Sequence, residues 1–305
     1  MSRGLLERTV LSRSAIGGRL VVAAAVALSA CMPASWGAGA LLHPSRRPLT
    51  TPRPRGAEAV AIQGDGVRLR GWLFRGSGPR RGTVVYLHGS ADNRASGVHL
   101  AERFLPRGFD VLMYDSRAHG ESEGDACTYG YYEKRDLSRA IDTLGAVPVA
   151  AIGVSLGGAV ALQAAAADSR IAAVVAIATF SDLKTVARER APFFASERNI
   201  AAAFALAEQQ ARFRVDEASP VAAAERIRVP VLLIHGEQDV ETPPSHSERV
   251  FAALRGPKRL LLLPGAGHND ALRDEVWNQV AAWLDGIGRL SVSGGPQGEP
   301  RSGRP

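Results

Sequence analysis

From about residue 57 the chain repeats one pattern: a short, continuous apolar run, a turn rich in glycine or charge, then a longer stretch with helical spacing. Residues 57–63 and 67–74 flank Asp65-Gly66 and predict an antiparallel hairpin. Residues 83–87, 109–114, 149–152, 171–178, 231–235 and 259–263 are apolar throughout, as strands buried on both faces are. Residues 93–105, 129–144, 159–167, 245–254 and 270–287 carry helical periodicity, and Pro106 stops the first of them. The alternation predicts an α/β fold: a mostly parallel, doubly wound sheet with an antiparallel N-terminal hairpin at its edge. Residues 180–220 break the rhythm. They are helical, mixed in charge and hold Phe193, Phe194, Phe204 and Phe213, which predicts a small helical cap. Such an insertion sits over the carboxyl ends of the strands, where ligands bind in these sheets. The four phenylalanines either line an acyl pocket or pack among themselves, and packing is the commoner use of aromatic residues at helical spacing.

Composition changes this picture only at the ends. A chain of 305 residues holds one large domain with extensions, and its 46% hydrophobic and 22% charged residues are ordinary for a globular protein. The net charge of +7 is confined to residues 1–56, which carry eight arginines against the single acid Glu7. The rest is neutral, so the basicity marks no nucleic-acid face, and no phosphate-cradling glycine loop appears. Arg3, Arg8, Arg13 and Arg19 precede the apolar run 20–28, which is too short to span a bilayer. That run ends in Leu28-Ser29-Ala30-Cys31. Residues 32–56 are rich in Pro, Arg, Gly and Ser and read as a tether, and 291–305 read as a disordered tail. The expected organisation is therefore a leader over 1–30, a tether over 31–56, the folded domain over 57–290 and a tail over 291–305.

The candidate chemistry centres on Gly153-Val154-Ser155-Leu156-Gly157. This G-x-S-x-G stands between a predicted strand and a predicted helix, the setting in which a serine is held on a strained turn. A hydroxyl is a weak nucleophile at neutral pH and needs a base, itself oriented by an acid. In this setting the partners follow the serine, acid before histidine. Of the seven histidines only His235, His246 and His268 come after it. His268 lies in the glycine-rich loop Pro264-Gly265-Ala266-Gly267-His268, free to aim back at the serine, and is the expected base. Asp239 follows a strand end and is the expected acid, with Asp182 its rival and Glu237 and Glu241 its neighbours. An oxyanion needs two donors. The Leu156 N–H opens the elbow helix, and the Ser90 N–H follows His88-Gly89 after the first long buried strand. His88 itself is expected to be structural. No metal-ligand spacing is present and no cofactor is expected.

With these residues in hand, the chain resembles the α/β-hydrolases, near the serine-aminopeptidase-like and small esterase or thioesterase branch. The resemblance rests on Asp65-Gly66-Val67-Arg68-Leu69-Arg70-Gly71-Trp72, on His88-Gly89-Ser90-Ala91-Asp92-Asn93, on Tyr114-Asp115-Ser116-Arg117-Ala118-His119-Gly120-Glu121-Ser122, and on the Ser155, Asp239 and His268 segments. It covers about residues 57–287. Ser116, Ala118 and Glu241 depart from the usual pattern without removing a triad member, and the 115–122 segment is expected to be a structural turn. The leader resembles a bacterial lipoprotein signal peptide, which implies lipidation of Cys31. It also implies an exported protein held at the membrane by a lipid anchor, on the periplasmic side or at the outer membrane of a Gram-negative cell. Cys127 is then left without an intrachain partner. The expected activity is a serine hydrolase cleaving an ester, thioester or amide of a small or acylated substrate through an acyl-enzyme. The alternative is a lipid-anchored binding protein that keeps the fold without turnover.

Overall fold

The computed structural model describes residues 33–287 and Leu290. The leader, Cys31 and the tail lie outside the described residues. Eight strands form one sheet: β1 (Ala57–Gln63), β2 (Arg68–Phe74), β3 (Gly82–Leu87), β4 (Phe109–Tyr114), β5 (Val149–Val154), β6 (Ile171–Ile177), β7 (Val231–Gly236) and β8 (Lys258–Leu263). Their order is β1-β2-β4-β3-β5-β6-β7-β8. β1 and β2 pair antiparallel, as do β2 and β4, and every other pairing is parallel. The chain leaves β3 for β4 on one side and returns to β5 on the other. That reversal opens a crevice between the carboxyl ends of β3 and β5, where ligands bind in open α/β sheets.

Both faces of the sheet are covered. Val85 and Leu87 of β3 pack with Leu156 and Val160 on one side, while Val84 and Tyr86 pack with Leu100 and Phe104 on the other. The first face carries helices over Glu133–Asp142, Leu156–Ala165 and Ser245–Ala253, and the second carries helices over Val98–Phe104 and Asp274–Gly286. Successive strand residues point to opposite faces, so a sheet apolar on both needs the unbroken apolar runs seen in the sequence.

Two helices depart from the sequence expectation. The helix expected over 129–144 starts at Glu133. Tyr129 and Gly130 have φ values of 55° and 106°, and the Glu133 carboxylate accepts hydrogen bonds from Thr128 N, Gly130 N and the Thr128 hydroxyl. The last helix is split, with a 3-10 turn over Asn269–Leu272, Arg273 extended, and the helix proper from Asp274.

The cap consists of α5 (Leu183–Glu189) and α6 (Glu197–Ala211) and a short turn over Val215–Glu217, counting α1 (Ala34–Leu42), α2 (Val98–Phe104), α3 (Glu133–Asp142) and α4 (Leu156–Ala165) before them. The tether reading does not hold for residues 34–42. They form α1, whose Ala38 and Leu42 are buried with Phe180, Phe204 and Phe213. The bulk composition of 32–56 concealed a nine-residue segment, ASWGAGALL, without a charge. Such a segment gains by burying one face as soon as a partner helix is available. No helix among the described residues is long and apolar enough to cross a membrane.

Candidate active site

Ser155 sits between β5 and α4 with φ 50° and ψ −111°. A serine with positive φ costs of order 1–3 kcal/mol and persists only where the surroundings hold it. They do so here through three hydrogen bonds: Ser155 N donates to Ile177 O at 2.8 Å, while Thr179 Oγ1 (3.1 Å) and Ala159 N (3.2 Å) donate to Ser155 O. The flanking glycines are sterically required. A Cβ on Gly153 would lie 2.2 Å from the Gly157 carbonyl, and one on Gly157 would lie 2.0 Å from Leu87 O. Ala91, Tyr129 and Ala178 also have positive φ, so backbone strain gathers around this end of the sheet.

His268 comes from the loop after β8. Its Nδ1 is 2.6 Å from Asp239 Oδ2, and Asp239 follows β7. A carboxylate at Nδ1 holds the proton there, which leaves Nε2 as the basic atom. Asp239 is buried. Burial alone would raise its pKa, but hydrogen bonds from His235, His268 and Thr242 N hold it well below the usual carboxylate range. Its other oxygen, Oδ1, accepts from Glu241 N at 3.0 Å and Thr242 N at 2.8 Å. The two loops are knitted together, with Gln238 N donating to Ala266 O at 2.9 Å. They approach so closely that a Cβ on Gly236 would lie 2.2 Å from Ala266 O. Among the described residues no hydrogen bond reaches Ser155 Oγ, which is only 8% exposed as a residue. Catalytic contacts of this kind commonly tighten only when substrate is bound.

The β3 loop lies against the serine, since a Cβ on Gly89 would be 3.7 Å from Ser155 Cβ. His88 is fully buried and its pKa is lowered by burial. Its Nε2 accepts from Ser116 N at 2.9 Å, so its Nδ1–H donates to Gly89 O at 2.7 Å. In a trans peptide C=O and N–H point opposite ways. Holding the Gly89 carbonyl back on His88 therefore turns the Ser90 N–H away from it. Among the described residues neither Ser90 N nor Leu156 N donates to a protein acceptor.

The remaining candidates have other work. Asp182 caps α5, accepting from Thr185 N at 2.8 Å, and Glu237 and Glu241 are exposed. His246 is buried between Ser181 and Glu189. The 115–122 segment is a turn tied by Asp115, which accepts from Arg94 N at 2.7 Å and Glu121 N at 2.8 Å. Of the four cap phenylalanines Phe204 lines a cavity and Phe213 packs on Tyr131, while Phe193 is 92% exposed with Phe194 against its ring. The sequence reading did not see His235 as part of this site. Its Nε2 lies 2.7 Å from Thr242 O and 3.2 Å from Asp239 Oδ2, and its Nδ1 is 2.6 Å from Ser247 Oγ. The one signal was its position four residues before Asp239, inside the same turn. Among the described residues no group of three His, Cys, Asp or Glu is placed to hold a metal ion.

Comparison with known proteins agrees with this architecture. A family model for the alpha/beta hydrolase fold matches residues 82–222. The protein YfhR of Escherichia coli K12 is 31% identical over 237 residues, 73% of this chain and 77% of YfhR. YqkD of Bacillus subtilis is 32% identical over 198 residues, 61% of this chain and 64% of YqkD. Among solved structures, the Pyrococcus furiosus esterase Pf2001 superposes with a TM-score of 0.65 at 24% identity, covering 80% of this chain and 98% of the esterase. An acetyl xylan esterase from Paenibacillus sp. R4 does so at 0.63 and 20%, covering 88% and 93%. The family model and the superpositions show one and the same fold.

Proposed function

This chain belongs to the α/β-hydrolase family, and from that premise we propose that it is a serine hydrolase acting through Ser155, His268 and Asp239. The observation that carries the reading is the 2.6 Å pairing of His268 Nδ1 with Asp239 Oδ2 at the same end of the sheet as the strained Ser155 elbow. Ser155 Oγ attacks the carbonyl carbon as its proton passes to His268 Nε2. The new oxyanion accepts from the Ser90 and Leu156 N–H groups, the latter at a helix N-terminus whose dipole favours negative charge. His268 then delivers its proton to the leaving group, and an acyl-Ser155 ester remains. Water, deprotonated by the same nitrogen, attacks that ester and frees the acid. Asp239 stays ionised and holds the imidazolium in place. Esters, thioesters and amides are all open to this machinery, and no cofactor enters it.

We further propose that the mature protein lies outside the cytoplasmic membrane, tethered through acyl chains on Cys31. Its support is the arginine-rich start, the short apolar run and Leu28-Ser29-Ala30-Cys31.

A fluorophosphonate probe is expected to label the wild-type protein and to leave Ser155→Ala unlabelled. Labelling that survives in Ser155→Ala would sink the assignment. Parallel assays with a p-nitrophenyl ester, an acyl thioester and an anilide then rank the bond types.

A further inference from the structure

A cavity of about 390 Å³ lies between α1 and the cap, within the range of roughly 300–1,000 Å³ typical of small-molecule sites. Trp36, Ala40 and Leu41 of α1 face Val186 and Ala187 of α5 and Phe204 of α6 across it. Ser90 and Ala91 of the oxyanion loop line it too. Among the described residues no carboxylate lines the cavity. Its one charged residue, Arg190, is turned to the acid loop, donating to Glu241 O at 2.9 Å and Thr242 Oγ1 at 2.6 Å. The α1 wall is fixed in place. Gly37 lies so close to α6 that a Cβ there would be 2.8 Å from Ala203 Cβ, Tyr129 Oη donates to Leu41 O at 3.0 Å, and Cys127 N donates to Leu42 O at 2.8 Å.

We propose that this cavity is the acyl-chain subsite, that α1 is one of its walls, and that the substrate is an ester or thioester of an extended aliphatic acid. The assignment rests on the serine-hydrolase reading for its direction. The leaving group departs on the His268 side, because that imidazole must protonate it. None of the residues that line the cavity comes from β7, β8 or the loops after them. The cavity is therefore reached from Ser90 and not from the His268 loop, and the acyl portion lies there once the carbonyl oxygen is held by the Ser90 N–H. Apolar walls without a carboxylate suit a hydrocarbon chain, whose burial gains about 0.8 kcal/mol per methylene.

Two measurements test this. In the first, kcat/KM is compared for p-nitrophenyl acetate, octanoate and laurate in the full-length protein and in variants filling the cavity from either wall, Ala187→Phe from the cap and Ala40→Trp from α1. Each variant is expected to lower the laurate-to-acetate ratio by at least about tenfold. A ratio unchanged in both overturns the proposal. In the second, Ser155→Ala, which needs no turnover, is titrated with dansylaminoundecanoic acid. Saturable binding that weakens at least about tenfold on adding Ala187→Phe or Ala40→Trp is the expected result. Absence of saturable binding, or binding indifferent to both substitutions, overturns the subsite. Probe binding in a protein that turns over no ester would retain the cavity assignment and remove the hydrolase reading. Turnover with no length dependence and no probe binding would do the reverse.

Discussion

At the scale of single residues, Asp239 is where the electrostatics of the site meet. Two backbone N–H groups and two imidazoles surround one buried carboxylate and keep it charged. Asp239→Asn removes the acceptor that fixes the His268 tautomer, so kcat is expected to fall on the order of 10⁴-fold with KM little changed, measured by steady-state hydrolysis. His235 holds the other side of that carboxylate. Its Nε2 faces both a carbonyl and the carboxylate, so it is a donor and a positioning residue. His119 acts on stability instead. It is buried, with its Nε2 unpartnered among the described residues, and burial, reinforced by the neighbouring His88, pushes its pKa down to about 4 from 6.5. Between those pH values the unfolded chain binds a proton that the folded protein refuses, so stability is fully present above the window and falls as pH falls through it. His119→Gln is expected to flatten that slope by up to about 3 kcal/mol, read from urea unfolding at both ends of the window. An undiminished slope would assign the acid sensitivity to other groups.

At the scale of elements, what matters is how closely two loops approach. The acid loop after β7 and the histidine loop after β8 come from neighbouring parallel strands, and Gly236 is the residue that lets them touch. Gly236→Ala places a methyl group against the Ala266 carbonyl and is expected to part His268 from Asp239. A displacement of this size costs about 10²-fold in kcat. Fluorophosphonate labelling rates, followed beside a thermal melt, separate that effect from unfolding. The strands were legible from their unbroken apolar runs, and so was the elbow, because its glycines answer to local sterics. The start of the helix at Glu133 was not, because side-chain bonds to the backbone decided it, and neither was the extended Arg273 that breaks the last helix. Nor was α1 legible: a short apolar segment has no stable face of its own and becomes a helix only against α6.

At the scale of the whole molecule, α1 lies close in sequence to the proposed lipidation site and in space to the cavity. Cys31 precedes Ala34 by three residues, which span at most about 10 Å when extended. Trp36, 55% exposed, lines the cavity, and Phe193, 92% exposed, follows the cavity residue Pro192. A lipid anchor at Cys31 would therefore hold the cavity wall close to the bilayer. Cys31→Ser is expected to move the protein from the membrane fraction to the soluble fraction and to abolish incorporation of labelled palmitate. Membrane retention without label would locate the anchor elsewhere. The sequence alone determined the parallel sheet, the tight glycine-flanked turn at Ser155 and the helical segment after β6, because hydrophobic period and glycine sterics are local properties. Only the tertiary structure decided that His235 shares the Asp239 carboxylate, that Gly236 sets the gap between two loops, and that residues 34–42 wall a cavity beside Ser90. Those are contacts between segments far apart in the chain, or across a single turn whose fold brings them face to face, and spacing along a sequence carries no distance in space.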